Sequence, residues 1–108
     1  MRQLLIVSAL LSSTGAMAEV VEVRGRGEVD LRHFVCESVR QSAIRRVCYD
    51  EINQYMVLLF GGSVFVQFCQ IEPQKVYGII HAERPSKYFT DEVRGRYRCD
   101  GTNTPIYS

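Results

Sequence analysis

Three short apolar runs dominate the middle of the chain. Residues 43–49 carry Ile44, Val47 and Tyr49, residues 55–60 read Tyr-Met-Val-Leu-Leu-Phe, and residues 64–69 read Val-Phe-Val-Gln-Phe-Cys. Each run is rich in β-branched and aromatic residues. Asp50, Glu51, Ile52 and Asn53 separate the first two, and Gly61, Gly62 and Ser63 the last two, which predicts a three-stranded antiparallel meander. The paired glycines supply the positive φ angles of a tight hairpin. Alternation puts Met56, Leu58 and Phe60 on one face of the middle strand and Val64, Val66 and Phe68 on one face of the third. Val57, Leu59 and Phe65 make the opposite face apolar as well, so both faces are expected to be covered at least in part.

After Ile71 the period changes. Pro73 suits a first helical turn, and Val76, Tyr77, Ile79 and Ile80 recur at helical spacing, with Pro85 expected to end that helix. A second, shorter helix is expected over residues 86–94, with Ser86 as N-cap, Phe89 and Val93 four apart, and Gly95 as the stop. Upstream, Val20, Val21 and Val23 favour a short strand, which the Arg24-Gly25-Arg26-Gly27 repeat then loosens. Leu31, Phe34 and Val35 lead into Cys36. The expected fold class is α+β: a three-stranded antiparallel meander with one long and one short C-terminal helix, plus a disulfide-tethered N-terminal arm.

The first 18 residues read differently from the rest. A short basic start is followed by an apolar run over residues 4–11 and by Ala16-Met17-Ala18, the pattern of a secretory signal peptide. That run is shorter than the roughly 20 apolar residues a membrane span requires, and no later stretch qualifies. Cys36, Cys48, Cys69 and Cys99 all follow it, an even set in a small exported domain, which implies two disulfides of roughly 2–4 kcal/mol each. Their connectivity is open among three pairings. The meander places a strand between Cys48 and Cys69, so the reading leans to Cys36–Cys48 with Cys69–Cys99, bonds that would fasten the arm and the tail to the sheet. Removing the signal takes Arg2 from the 13 basic residues and leaves 12 against 12 acidic, a net charge of zero. A neutral domain carries no bulk attraction for nucleic acid or anionic membrane.

Ser42-Ala43-Ile44, Val47, Tyr49-Asp50, the apolar alternation up to the glycine turn, the aromatic strand, the helix ending at Ala82, Lys87-Tyr88-Phe89 and Val93-Arg94-Gly95-Arg96-Tyr97 form an ordered set. In that order and spacing the chain resembles the KTSC domain, a small module that occurs at the C-terminus of some lysyl-tRNA synthetases. The resemblance covers residues 42–99, between an arm over residues 19–41 and a tail over residues 100–108. The cysteines look like those of an exported, single-domain bacterial branch. Two departures stand out: the family's Tyr-x-Tyr falls on Val66-Gln67-Phe68, and its Ser-x-Gly on Arg84-Pro85-Ser86. The resemblance implies no established activity; RNA binding is suggested by the synthetase context alone, and an exported protein has little use for it.

Candidate chemistry is sparse. His33 and His81 lie far apart, and the cysteines lack the short paired spacing of a zinc site or a Cys-x-x-Cys redox centre, so neither a metal nor a cofactor is expected. Ser38, Ser42 and Ser86 have no histidine and acid framework, and no catalytic residue is assigned. The sharpest surface signal is Arg94, Arg96, Tyr97 and Arg98, echoed by Arg24 and Arg26 and joined by Lys87 and Tyr88 as candidate ligand-binding residues. The reading is a periplasmic or secreted, non-catalytic binding module, with a protein partner in the cell envelope. Its alternatives are an inhibitor or immunity-like protein acting on an envelope or secreted enzyme, and RNA binding through the arginine cluster.

Overall fold

The computed structural model describes residues 19–40 and 42–107; the expected signal peptide, residues 1–18, lies outside the described residues. Among the described residues six strands precede two helices: β1 (Val20–Val23), β2 (Gly27–Asp30), β3 (Val35–Ser38), β4 (Arg46–Asp50), β5 (Tyr55–Leu59), β6 (Val64–Phe68), α1 (Pro73–His81) and α2 (Pro85–Glu92). The class is α+β, but the sheet is not the expected three-stranded meander. All six strands form one mixed sheet in the order β2-β1-β6-β5-β4-β3. β4, β5 and β6 pair antiparallel in succession at its centre. The arm, expected to hold one short strand and to be tethered by a disulfide, supplies the rest: β1 runs parallel to β6 and carries β2, while β3 runs antiparallel to β4.

The Gly-Arg repeat is the reason the arm orders. Gly25 and Gly27 take φ of +78° and +104°, the left-handed region that a side chain resists, and turn β1 into β2 with Val23 opposite Gly27. The repeat makes a hairpin rather than loosening a strand. At the β5–β6 turn only Gly62 takes a positive φ.

The sheet must curl. Its edge strands, β2 and β3, are consecutive in the chain, and five strand spacings would hold them about 24 Å apart in a flat sheet. The link from Asp30 to Val35 reaches about 17 Å at most. Curling turns one face into an enclosed core of Val21, Val23, Val29, Leu31, Cys48, Tyr55, Val57 and Phe65, with Phe34 against it. Val47, Met56, Leu58 and Phe68 face the other way and pack under Val76 and Ile79 of α1 and Phe89 of α2. Phe89 stands edge-on to Phe60 and Phe68, with ring centroids 5.3 and 5.5 Å away, an arrangement that adds to simple burial.

The helices are nearly equal in length, nine and eight residues. Pro85 begins α2 instead of ending α1, and Arg84, not Ser86, is the N-cap. A proline's fixed φ and missing N–H suit the first helical position, which puts Ser86 inside the first turn. α2 ends at Glu92 with Val93 as its C-cap, two residues short of the expected end at Arg94, and Gly95, at φ +77°, turns the chain just beyond it. Cys36 bonds Cys48 across β3 and β4, and Cys69 bonds Cys99, anchoring the chain that leaves α2.

Candidate functional site

The basic cluster read from the sequence does not converge. Arg96 turns back to donate to the Asp91 carbonyl at 3.2 Å, the end of α2 where the helix dipole favours a cation. Lys87 pairs with Asp91 one turn on, at 2.7 Å. Tyr88 lies in the interface between α1 and α2, its ring covering Gly78. Tyr97 packs against the helix-side core, and its backbone carbonyl accepts from the Cys69 N–H. Burial pushes the Tyr97 phenol up, and the neighbouring Glu72 adds to the shift. Arg94 and Arg98 remain exposed. Of the echoing pair, Arg24 is exposed, but Arg26 turns inward between Tyr55 and Tyr107, 5.1 and 5.2 Å from their centroids, and donates to the Pro105 carbonyl. Its Nη1 is buried with no hydrogen-bond partner among the described residues.

The serines are also engaged. Ser42 and Ser86 share a hydrogen bond at 3.0 Å, and their Oγ atoms accept from the Ile44 and Ala43 N–H groups. They tie the start of β4 to the first turn of α2. Among the described residues no group of His, Cys, Asp and Glu side chains is placed to hold a metal ion.

The concave apolar surface lies elsewhere. α1 crosses β4 and leaves the helix-side face of β3 uncovered, opening a groove of about 600 Å³. Val35 and Tyr49 line one side, and Val76, Tyr77 and Ile80 the other. Val35 is 69 % exposed, Tyr77 64 %, and Ile52 at its end 93 %, a concentration of solvated apolar surface that soluble proteins otherwise avoid. The rim is acidic: Glu37, Asp50 and Glu51 contribute carboxylates, His33 and His81 complete the polar lining, and among the described residues no lysine or arginine joins them. Tyr49 registers this field. Burial first, and then the charges of Glu51, Glu72 and Asp50, push its phenol up to about 12, and it donates to the Ile71 carbonyl at 2.6 Å.

Asp50, the one buried charge in the described core, closes the far end of the groove. Burial works against its ionisation. Donors from Tyr107 and Asn53 outweigh that cost and hold the carboxyl below its usual range.

Sequence reasoning placed Tyr77 and Ile80 on a helix and Tyr49 on a strand but assigned none of them to a surface site. The available signal was Ile52, a large apolar residue in the polar turn Asp50-Glu51-Ile52-Asn53, together with Val35 ahead of a disulfide cysteine.

No curated protein and no solved structure matched the chain. The family model of the KTSC domain matches residues 40–97, from just before β4 to just beyond α2 and more than half of the chain. The chain belongs to the KTSC domain family.

Proposed function

We infer that this protein is a non-catalytic interaction module of the exported KTSC branch, acting in the periplasm or after secretion, and that the groove between β3 and α1 is its binding surface. The observation that carries the reading is the exposure of Val35, Ile52 and Tyr77 around one acidic-rimmed depression. A folded domain gains nothing from leaving those side chains in water, whereas a partner that covers them gains roughly 25 cal/mol for each Å² of apolar surface removed. Two disulfides suit an oxidising compartment. Among the described residues no helix is long and apolar enough to cross a membrane.

The test is site-specific photo-crosslinking in the producing cells. A photoreactive residue at Tyr77 is expected to give a discrete protein adduct, and one at Arg94 none. Adducts at Arg94 alone would return the site to the arginine cluster, and RNA in those adducts would establish the nucleic-acid alternative.

A further inference from the structure

The groove is bounded by backbone as well as by side chains. Among the described residues β3 is an edge strand, hydrogen-bonded to β4 on one side only. In an antiparallel ladder, residues alternate between pairs that exchange two hydrogen bonds and closer pairs that exchange none. The Val39 N–H donates to the Arg45 carbonyl at 3.0 Å, marking one bonded position beyond β3. Counting back by twos through the register, Glu37 and Val35 are bonded to β4, and Cys36 and Ser38 are not. The Cα separation of 4.0 Å between Cys36 and Cys48 fits the closer, non-bonded kind. The N–H and C=O groups of Cys36 and Ser38 therefore point away from the sheet. The side chains of Val35 and Glu37 point to the helix side, into the groove.

We propose that the free edge of β3 accepts one added strand from a protein partner: an extended segment that seats an apolar side chain between Val35 and Tyr77 and flanks it with basic side chains two residues away on either side. The reading rests on the interaction-module assignment and specifies its mode. An added strand lies about 4.8 Å outside β3, over the mouth of the groove, and its alternate side chains enter it. The apolar lining of Val35, Tyr49, Val76, Tyr77 and Ile80 receives the central residue. Glu37 and Glu51 are both exposed, and neither forms a salt bridge among the described residues, so they receive the flanking cations. The same charges oppose the other obvious occupant. Pairing two β3 edges about a two-fold axis would bring two identical sets of carboxylates together. The depression near the opposite edge, β2, differs in charge: its lining includes Arg46, which already pairs with Glu19 at 2.6 Å.

The probe is the capped peptide Lys-Thr-Phe-Thr-Lys, titrated into the oxidised protein labelled for NMR. Saturable binding is expected, with the largest shifts at residues 35–38 and 76–81 and slowed amide exchange at Cys36 and Ser38. Methylating the peptide's backbone nitrogens keeps every side chain and removes the donors, so it should abolish binding. Replacing both lysines by glutamate should do the same. The double variant Glu37→Lys/Glu51→Lys, two exposed changes that leave the core intact, should weaken binding by about tenfold. Equal binding of the methylated peptide, shifts confined to other surfaces, or no saturation would overturn strand addition. A protein that sediments alone as a dimer with those two amides already protected would overturn it in favour of a second copy. A Tyr77 adduct that persists while the peptide fails removes the binding mode and leaves the module; loss of both removes both.

Discussion

Tyr107 donates its phenolic hydrogen to the Asp50 carboxylate at 2.5 Å, joining the last described residue of the tail to the end of β4. The contact is the centre of a small polar assembly. The Tyr107 ring also packs on Phe34 and Tyr55, with centroids 5.4 and 5.9 Å away, and Arg26 lies against it from the enclosed side. The tail thus forms a cover over one end of the curled sheet, beside the groove that Asp50 also lines.

Tyr107→Phe keeps that packing and removes the hydroxyl. The variant should lose about 1–2 kcal/mol, because a charged, buried acceptor forfeits one of its donors. The loss has a pH signature. Asp50's folded pKa is depressed, so its contribution is present above the unfolded value of about 4 and disappears as pH falls through the folded value. Without the Tyr107 donor the depression shrinks, and the gap between variant and parent should close on going to low pH. Urea midpoints measured from neutral to acid pH check this; a pH-independent gap would show that the hydroxyl does not act through the Asp50 charge.

The alkaline limb carries the opposite sign. Burial raises the phenols of Tyr49, Tyr55, Tyr97 and Tyr107, with Asp50 adding to the shift at Tyr107. Groups with raised folded pKa values contribute stability that is complete below the unfolded value of about 10 and is lost as pH rises through the folded one. Phenolate absorbance should therefore show a late phase accompanied by loss of structure. Tyr49→Phe should remove the component near 12 from that phase. A single early transition that leaves the far-UV spectrum unchanged would contradict the burial of these four rings.

The central strands were legible because their apolar runs are dense and their turns are punctuated. Of the arm only β1 was legible, from its valines; β2 and β3 were not, for a physical reason. β1, β2 and β3 are four residues each, and no more than alternate positions are buried in β1 and β2, so their identity depends on their partners: β6, far along the chain, for β1, and the following strand β4 for β3. The groove was hidden by a related ambiguity. Tyr77 and Ile80 have the helical spacing of core residues, and only the position of α1 across β4 decides that Ile79 is sealed while Tyr77 stays in solvent. The arginines misled in the other direction, since a basic stretch gives no sign that Arg96 will cap a helix and Arg26 will fill an enclosed end.

The two disulfides should differ in worth. They close loops of 12 and 30 residues, and restriction of the unfolded chain scales with the logarithm of loop length. Replacing Cys36 and Cys48 by alanine should cost about 3 kcal/mol, and replacing Cys69 and Cys99 about 4 kcal/mol. Denaturant unfolding of the two double variants checks the order. The smaller loss should carry the larger functional penalty, because Cys36–Cys48 holds the edge strand that lines the groove. A reversed order of stability would mean that local packing around Cys48, which is fully buried, outweighs chain entropy.

Gly78 sits where α1 meets α2, and a Cβ there would overlap the end of the Tyr88 ring. In an isolated helix Gly→Ala is favourable by about 1 kcal/mol. Here it forces a packed ring aside, at about 1–3 kcal/mol, so Gly78→Ala should be destabilising by about 1 kcal/mol overall. The sign is diagnostic when Tyr88 is shortened: in a Tyr88→Leu background the overlap is gone, and Gly78→Ala should turn stabilising. The difference between the two backgrounds is the coupling between the residues. The same pair bears on binding. If the ring does not yield, α1 must shift, carrying Tyr77 and Ile80 with it, so Gly78→Ala should weaken the Lys-Thr-Phe-Thr-Lys peptide and Tyr88→Leu should restore it. A Gly78→Ala protein that is more stable than its parent and binds the peptide unchanged would show that the helices have room to spare and that the groove's width is not set by their contact.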